Sequence, residues 1–362
     1  MKYAAIVFGG KSGEHEVSCL SATSVLRAID RSKFIPVPLG INRNGRWFLQ
    51  AEQSLETIQN PAYSLSVSCD PESEVFFQAE EGFFTKDKKL QVDLVFPVLH
   101  GSFGEDGCIQ GLLEILDIPY VGSGVLGSSV GMDKHLAKQL WEAAGIPIVP
   151  YVNLHHDDFN QNPQRAIETI IQNLQFPVFI KPANGGSSVG IQKCFDKDDL
   201  SKTLESAFAY DTKVLIESYI DAIEVECSVL GNHIINTFPP ASIEPKHDYY
   251  DYDAKYTDPN GAEFHIPANL PDDVQNTIRS LAARAFRAVE ARGLSRVDFF
   301  LCRQSGNIYI NEINTLPGFT NVSLFPRMCA EGGISYPQLI TTLFELAEEE
   351  HKRRSSLKYD TK

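Results

Sequence analysis

Two near-continuous apolar runs, Ala4 to Phe8 and Val92 to Leu99, are strand-length and lack the polar alternation of a half-exposed strand. Such runs suit parallel strands covered on both faces. A helical pattern near 16–29 and a strand-like stretch at 35–41 follow the first run, and a helix near 107–116 follows the second. This β-α alternation predicts an α/β fold that opens with a parallel sheet reaching to about residue 122. Residues 50–90 are polar, weakly patterned and predicted irregular.

Two further units follow, over 123–220 and 221–362. The second holds a helix from Lys134 to Ala144, stopped by Gly145-Ile-Pro147, then a strand from Phe176 to Pro182. The loop Asn184-Gly-Gly-Ser-Ser-Val-Gly190 and another strand complete it. In the third, Glu224 to Gly231 reads as a strand, 247–258 as a tyrosine-rich loop, 271–292 as a helix and 335–351 as a last helix. The tail from Lys352-Arg353-Arg354 is expected to fray.

Between those last helices, Ser295 to Leu301 and Asn307 to Ile313 are β-branched and aromatic, and Gln304-Ser305-Gly306 between them is turn chemistry. A hairpin centred on Ser305 places Asp298 opposite Glu312. Asn314, two residues on from Glu312, shares its face. Facing carboxylates repel. A hard cation such as Mg²⁺, completed by phosphate oxygens, removes that penalty; a solvated face is the plainer alternative.

Other segments carry chemistry less sharply. Gly10-Lys11-Ser12 ends like a phosphate-binding Walker loop, but Ala5 stands where its first glycine is required. Gly122-Ser-Gly124-Val-Leu-Gly127 matches GxGxxG without the acidic residue about 20 positions on that a dinucleotide fingerprint needs. A tight crossing between units explains it better. Gly185-Gly186-Ser187-Ser188-Val-Gly190 is the stronger phosphate loop, because small residues let backbone N–H groups approach closely, and Lys181 precedes it. Glu217 ends an apolar strand, with Glu224 seven residues later; the pair reads either as surface glutamates or as an adenosine site. His100-Gly-Ser-Phe-Gly-Glu-Asp-Gly107 and Glu14 both follow strand ends, where open α/β sheets bind ligands, although His100 reads equally as a satisfied structural histidine.

Composition narrows the partners. The chain has 362 residues, 43% hydrophobic and 22% charged, enough for two or three domains. No apolar run approaches the ~18 residues of a membrane helix. The N-terminal run is too short for a signal peptide, so a cytoplasmic location is expected. A net charge of −15 argues against nucleic acid or an anionic membrane as partner. Seven scattered cysteines without a CxxC pair read as reduced thiols.

In combination these segments resemble the D-alanine–D-alanine ligase family of the ATP-grasp superfamily. The resemblance runs in order over nearly the whole chain. It takes in Phe8-Gly-Gly-Lys-Ser-Gly-Glu-His-Glu-Val-Ser18, the His100 segment, Met132-Asp-Lys134, Lys181 to Gly190, Lys255-Tyr256, Arg296-Val-Asp298 and Asn311 to Thr320. It implies an N-terminal α/β domain (1–122) and an ATP-grasp fold of central (123–220) and C-terminal (221–362) subdomains. It also implies a homodimer, and ATP-dependent joining of two D-alanines through an acyl phosphate for peptidoglycan synthesis.

Residue by residue, the resemblance implies that Asp298, Glu312 and Asn314 hold two Mg²⁺ or Mn²⁺ ions on ATP. Lys134, Lys181 and Lys255 contact phosphates, with Gly186, Ser187 and Ser188 in the phosphate loop; Glu217 lies at adenine and Glu224 at ribose. Arg296 and the Gly318 N–H form an oxyanion site, Glu14 binds the first D-alanine's amino group, and Ser323 binds the second's carboxylate. Ser187 and Tyr256 join Glu14 in a triad that closes a loop, and His100 lies beside the substrates. Relatives that join D-alanine to D-lactate lack the Lys-Tyr pair, so Lys255-Tyr256 implies the dipeptide-forming branch.

Three other functions compete. Another ATP-grasp carboxylate–amine ligase would share the fold. An oxidoreductase built on Gly122 to Gly127 needs an acidic ribose anchor that is missing. A catalytically dead binding module would have lost one of Lys255, Arg296, Asp298, Glu312 or Asn314, and all are present.

Overall fold

A computed structural model describes residues 1–51, 53, 55–245 and 262–358. Lys255, Tyr256 and the tyrosine-rich 247–258 loop lie outside the described residues.

The first sheet is built from β1 (Lys2–Gly9), β2 (Phe34–Ile41) and β3 (Trp47–Leu49). A separate ribbon, β4 (Phe76–Gln78) with β5 (Gly82–Phe84), follows, and β6 (Leu94–Pro97) returns beside β1, giving the order β3-β2-β1-β6. β1 runs parallel to β2 and β6, while β3 is an antiparallel edge that the sequence pattern did not predict. The unbroken apolar run has a simple cause. Ala4, Ile6 and Phe8 pack with helix His15–Ala28 and with Leu339, Leu343 and Phe344 of helix Tyr336–Ser355, whereas Ala5 and Val7 pack on the opposite side with Ile109 and Leu113. Successive side chains point to opposite faces, so a strand covered on both sides must be apolar throughout.

The second sheet, in order β7-β10-β8-β9, comprises β7 (Tyr151–His155), β8 (Val178–Pro182), β9 (Gln192–Cys194) and β10 (Lys213–Ser218), all antiparallel. Helices Pro163–Asn173 and Leu200–Ala207 cover one face through Ile170 and Leu204. The third sheet runs β14-β13-β11-β15-β16, from β11 (Ala222–Gly231), β12 (Ile235–Thr237), β13 (Ala241–Pro245), β14 (Ala262–His265), β15 (Gly293–Cys302) and β16 (Ile308–Asn314), with β12 paired only to β11. Helix Asp272–Ala288 and Trp141 of helix Lys134–Ala143 fill its apolar side.

Residues 50–90, expected to be irregular, contain helix Leu55–Gln59 and the β4–β5 ribbon, and two further expectations change. Helix Val125–Met132 occupies the stretch after Gly122 to Gly124, where the expectation is a crossing and not a helix. The tail does not fray at Lys352, because the last helix continues to Ser355, with Arg353 bonded to Glu350 and Arg354 to Glu114. Gly122 does mark a tight crossing: a Cβ on Gly293 would stand 3.1 Å from the Gly122 nitrogen, so β15 passes this turn only as glycine. All seven cysteines are free.

Candidate active site

The β15–β16 hairpin pairs Asp298 directly with Glu312, and Arg296 with Asn314. The register shifts between Asp298 and Phe299, so Asn311 is the extra residue of a bulge. The bulge aims its side chain at the cleft, where Lys181 Nζ donates to Asn311 Oδ1 at 3.2 Å. Asp298 accepts from Arg296 Nε and Nη2 at 2.8 and 2.7 Å and from Asn314 Nδ2 at 3.0 Å. Arg296 also lies 3.0 Å from Glu226 on β11, directly across from Asp298. Burial opposes the guanidinium charge, but Asp298 and Glu226 outweigh it and hold its pKa well above the ordinary value.

Among the described residues no three His, Cys, Asp or Glu side chains form a metal-holding group. The hairpin offers an oxygen set instead, two carboxylates in register and one amide. That set fits Mg²⁺ or Mn²⁺, which take few protein ligands and complete their shell elsewhere.

Lysines connect this hairpin to the glycine-serine loop. Lys134, at the start of helix Lys134–Ala143, lies 3.4 Å from Glu312 and donates to the Gly185 carbonyl at 2.6 Å. Lys181, on β8, lies 2.6 Å from Glu217 on the neighbouring β10 and 5.7 Å from the ring centre of Phe300. Glu224 pairs across from that Phe300 and shares a face of β11 with Glu226. The Glu217 carboxylate is buried between Lys181 and Lys138. Burial would raise its pKa, but the two lysines more than offset this and bring it down to about 2.

The loop itself reaches the first sheet. Ser187 and Ser188 have φ of 50° and 60°, the left-handed region, which costs side-chain-bearing residues about 1 kcal/mol or more each. In that conformation the Ser187 hydroxyl donates to Glu14 Oε1 at 2.5 Å, and a Cβ on Gly186 would lie 3.4 Å from Glu14 Oε2.

The segment after the hairpin is tied at Leu316 to the loop after β6 by two side chains. His100 Nδ1 donates to the Leu316 carbonyl at 3.0 Å, and its Nε2 accepts from the Ser21 hydroxyl at 3.0 Å. Both nitrogens are satisfied and burial holds the imidazole pKa below its ordinary value, so His100 is a neutral tether. Half-buried Glu105 accepts from Gly101 N–H at 2.8 Å and Leu316 N–H at 3.0 Å. Burial first, then Glu14, pushes its pKa up to about 8. A Cβ on Gly318 would be 3.2 Å from Ser323 Oγ, which accepts from the Thr320 N–H at 3.1 Å.

Elements of all three sheets therefore converge on one cleft, in the chain order of the motifs. Residues 3–123 match the family described as D-ala D-ala ligase N-terminus, and residues 140–345 match D-ala D-ala ligase C-terminus. The chain belongs to the D-ala D-ala ligase family. A D-alanine--D-alanine ligase of Treponema denticola is 44% identical over 361 residues, covering 98% of both chains. D-alanine--D-alanine ligase A of Bradyrhizobium diazoefficiens is 43% identical, covering 97% of this chain and 96% of the relative. Among solved structures, the VanG D-Ala:D-Ser ligase of Enterococcus faecalis superposes with a TM-score of 0.83 at 36% identity, over 96% of this chain and 99% of that one. The D-alanine-D-alanine ligase of Coxiella burnetii gives 0.83 at 30% identity, over 98% and 96%. The fold is thus the ATP-grasp fold of this family.

Against that family pattern, four side chains in the cleft carried no assigned role from sequence: Glu105, Lys138, Glu226 and Asn311. Two of them left a signal. Lys134 and Lys138 stand four residues apart at the start of a helix, on one face, where the helix dipole disfavours cations. Glu226 alternates with Glu224, so both carboxylates project from one side of a strand.

Proposed function

We propose that this chain joins two D-alanines at the expense of ATP, releasing ADP and phosphate, for peptidoglycan precursor synthesis. One observation carries the reading: Ser187 bonds Glu14 while Lys134 bonds the same loop and approaches Glu312, linking an amine-binding carboxylate, a phosphate loop and a metal-type hairpin. The family relationship supports the same chemistry.

In this reading the first D-alanine binds with its ammonium on Glu14. Its carboxylate oxygen attacks the γ-phosphorus of ATP; a P–O bond forms, the bridge to ADP breaks, and an acyl phosphate results. Lys134, Lys181 and Lys255 bind the phosphates as point charges, with the backbone at Gly186, Ser187 and Ser188. Asp298, Glu312 and Asn314 would hold Mg²⁺ or Mn²⁺, two per site, whose chemistry is to neutralise phosphate charge. Backbone near Glu217 faces adenine, and Glu224 accepts from ribose. The second D-alanine, its carboxylate on Ser323, then attacks the acyl carbon through its amine. A C–N bond forms, phosphate leaves, and the amine loses its proton. Arg296 and the Gly318 N–H stabilise the tetrahedral oxyanion, an effect of about 3–4 kcal/mol per donor in comparable sites. Loop closure through Glu14, Ser187 and Tyr256 excludes water from the acyl phosphate, with His100 fixing the Leu316 end of the site.

The units 1–122, 123–220 and 221–362, a cytoplasmic homodimer and the dipeptide-forming branch belong to the same proposal. Among the described residues no helix is long and apolar enough to cross a membrane. Phosphate release from Mg²⁺-ATP should depend on D-alanine and not L-alanine. With D-alanine, D-serine and D-lactate as competing acceptors at pH 6 and 8, D-alanyl-D-alanine should dominate; absence of D-alanine-dependent turnover would overturn the reading.

A further inference from the structure

Lys138 is a fully buried lysine, 0% exposed, on the helix that begins with Lys134. Its ammonium lies 2.9 Å from Glu217 Oε1 and 5.8 Å from the Tyr151 ring centre. The other oxygen of the same carboxylate is 2.6 Å from Lys181. Two ammonium groups thus share one carboxylate inside the protein; burial lowers the Lys138 pKa while Glu217 opposes that fall, and with both lysines protonated the cluster carries a net charge of +1. Burying a charge is costly unless something compensates it. Replacing Lys138 by an apolar side chain would leave Glu217 and Lys181 as a neutral pair, with the lysine's field cancelled.

We propose that Lys138 is a positioning residue for nucleotide binding: by sharing Glu217 it keeps the field of Lys181 available to ATP phosphate, which it does not itself touch. The inference rests on the ligase reading for the placement of ATP. It predicts an effect confined to phosphate-bearing ligands. Two charges several ångströms apart in a partly desolvated site interact strongly enough to change affinity on the order of tenfold.

The test compares wild type, Lys138→Met, Lys138→Gln and Lys138→Arg, measuring the Kd of a non-hydrolysable ATP analogue with Mg²⁺ and the Ki of adenosine. Lys138→Met should weaken the analogue about tenfold, with adenosine Ki and D-alanine KM within about twofold, and Lys138→Arg should restore analogue binding. Lys138→Gln removes the same charge but keeps a polar side chain beside Glu217, so it should show the same loss of about tenfold even if Lys138→Met fails to fold. Equal losses for adenosine and the analogue, or failure of Lys138→Arg to restore analogue binding, would show a structural role only and overturn the proposal. An unchanged Lys138→Met overturns it while leaving the ligase reading intact; wild type that neither binds the analogue nor turns over ATP overturns both.

Discussion

Glu105→Gln should cost stability at acidic pH and lose that cost as pH rises. The wild-type carboxyl receives two backbone N–H groups, from Gly101 and Leu316. Glutamine has one carbonyl oxygen, so one of these donors faces an NH₂ group and loses its bond, about 1–2 kcal/mol. Set against this is the pKa of about 8, raised first by burial. An acid whose folded pKa is raised binds a proton in the native state through the window from 4.5 to about 8, while the unfolded chain does not. Its contribution therefore falls as pH rises across that window. At about 1.4 kcal/mol per pH unit the full window amounts to about 5 kcal/mol, a ceiling for a side chain that keeps some solvent contact. About 2 kcal/mol is the expected change. Urea unfolding of both proteins at pH 5, 6.5 and 8.5 reports this group together with its coupling to Glu14, since uncoupled titrations cancel in the difference. The wild type should lead by about 1–2 kcal/mol at pH 5 and by nothing at pH 8.5. A lead that stays constant, or grows with pH, would refute the argument that the Glu105 charge is disfavoured where it sits.

Glu312→Ala should abolish D-alanine-dependent ADP formation without lowering the unfolding midpoint, because it relieves a facing carboxylate pair; retained turnover would remove the hairpin from the metal site. EDTA should stop turnover, and added Mg²⁺ or Mn²⁺ should restore it; activity persisting in chelator contradicts that assignment. Trp141 is 1% exposed and donates to the Ala285 carbonyl at 3.2 Å, so Trp141→Ala should cost about 3–5 kcal/mol in denaturant unfolding, and a loss near zero would mean the site collapses freely. Arg354→Ala should cost about 0.5–1 kcal/mol, less in high salt, since the Arg354–Glu114 contact is partly exposed; a salt-independent loss points to packing instead.

Where one physical rule acted alone, the sequence was readable. Apolar continuity marked β1 and β6, turn chemistry marked the hairpin, and glycine marked the close crossing at Gly122; Asp298 meets Glu312, however, because of the bulge at Asn311, which the turn did not reveal. Residues 50–90 lacked such a rule because they are held by tethers rather than periodicity: Arg27 donates to the carbonyls of Ile58, Asn60 and Tyr63 at 2.6, 2.8 and 2.8 Å, and Gln50 bonds both ways with Ser68. The Gly-rich stretch before Met132 hid a helix because its glycines serve packing; a Cβ on Gly127 would lie 2.5 Å from the Glu290 carbonyl oxygen. The basic tail looked solvated until Glu350 and Glu114 proved to lie beside it. In the site, hairpin geometry was local and legible. The partners of Glu217 were not, because Lys138 approaches it from another element.

The face of β1 made by Ala4, Ile6 and Phe8 is closed by Leu339, Leu343 and Phe344, and Lys2 pairs with Glu348. During synthesis, at about 5–20 residues per second, roughly 15 s to a minute separate these partners. The first sheet thus emerges with one apolar face that helix His15–Ala28 covers only in part, and the rest must be shielded until the last helix is made. A ribosome that stops short of that helix releases a protein with every residue of the proposed chemistry and an open, aggregation-prone core.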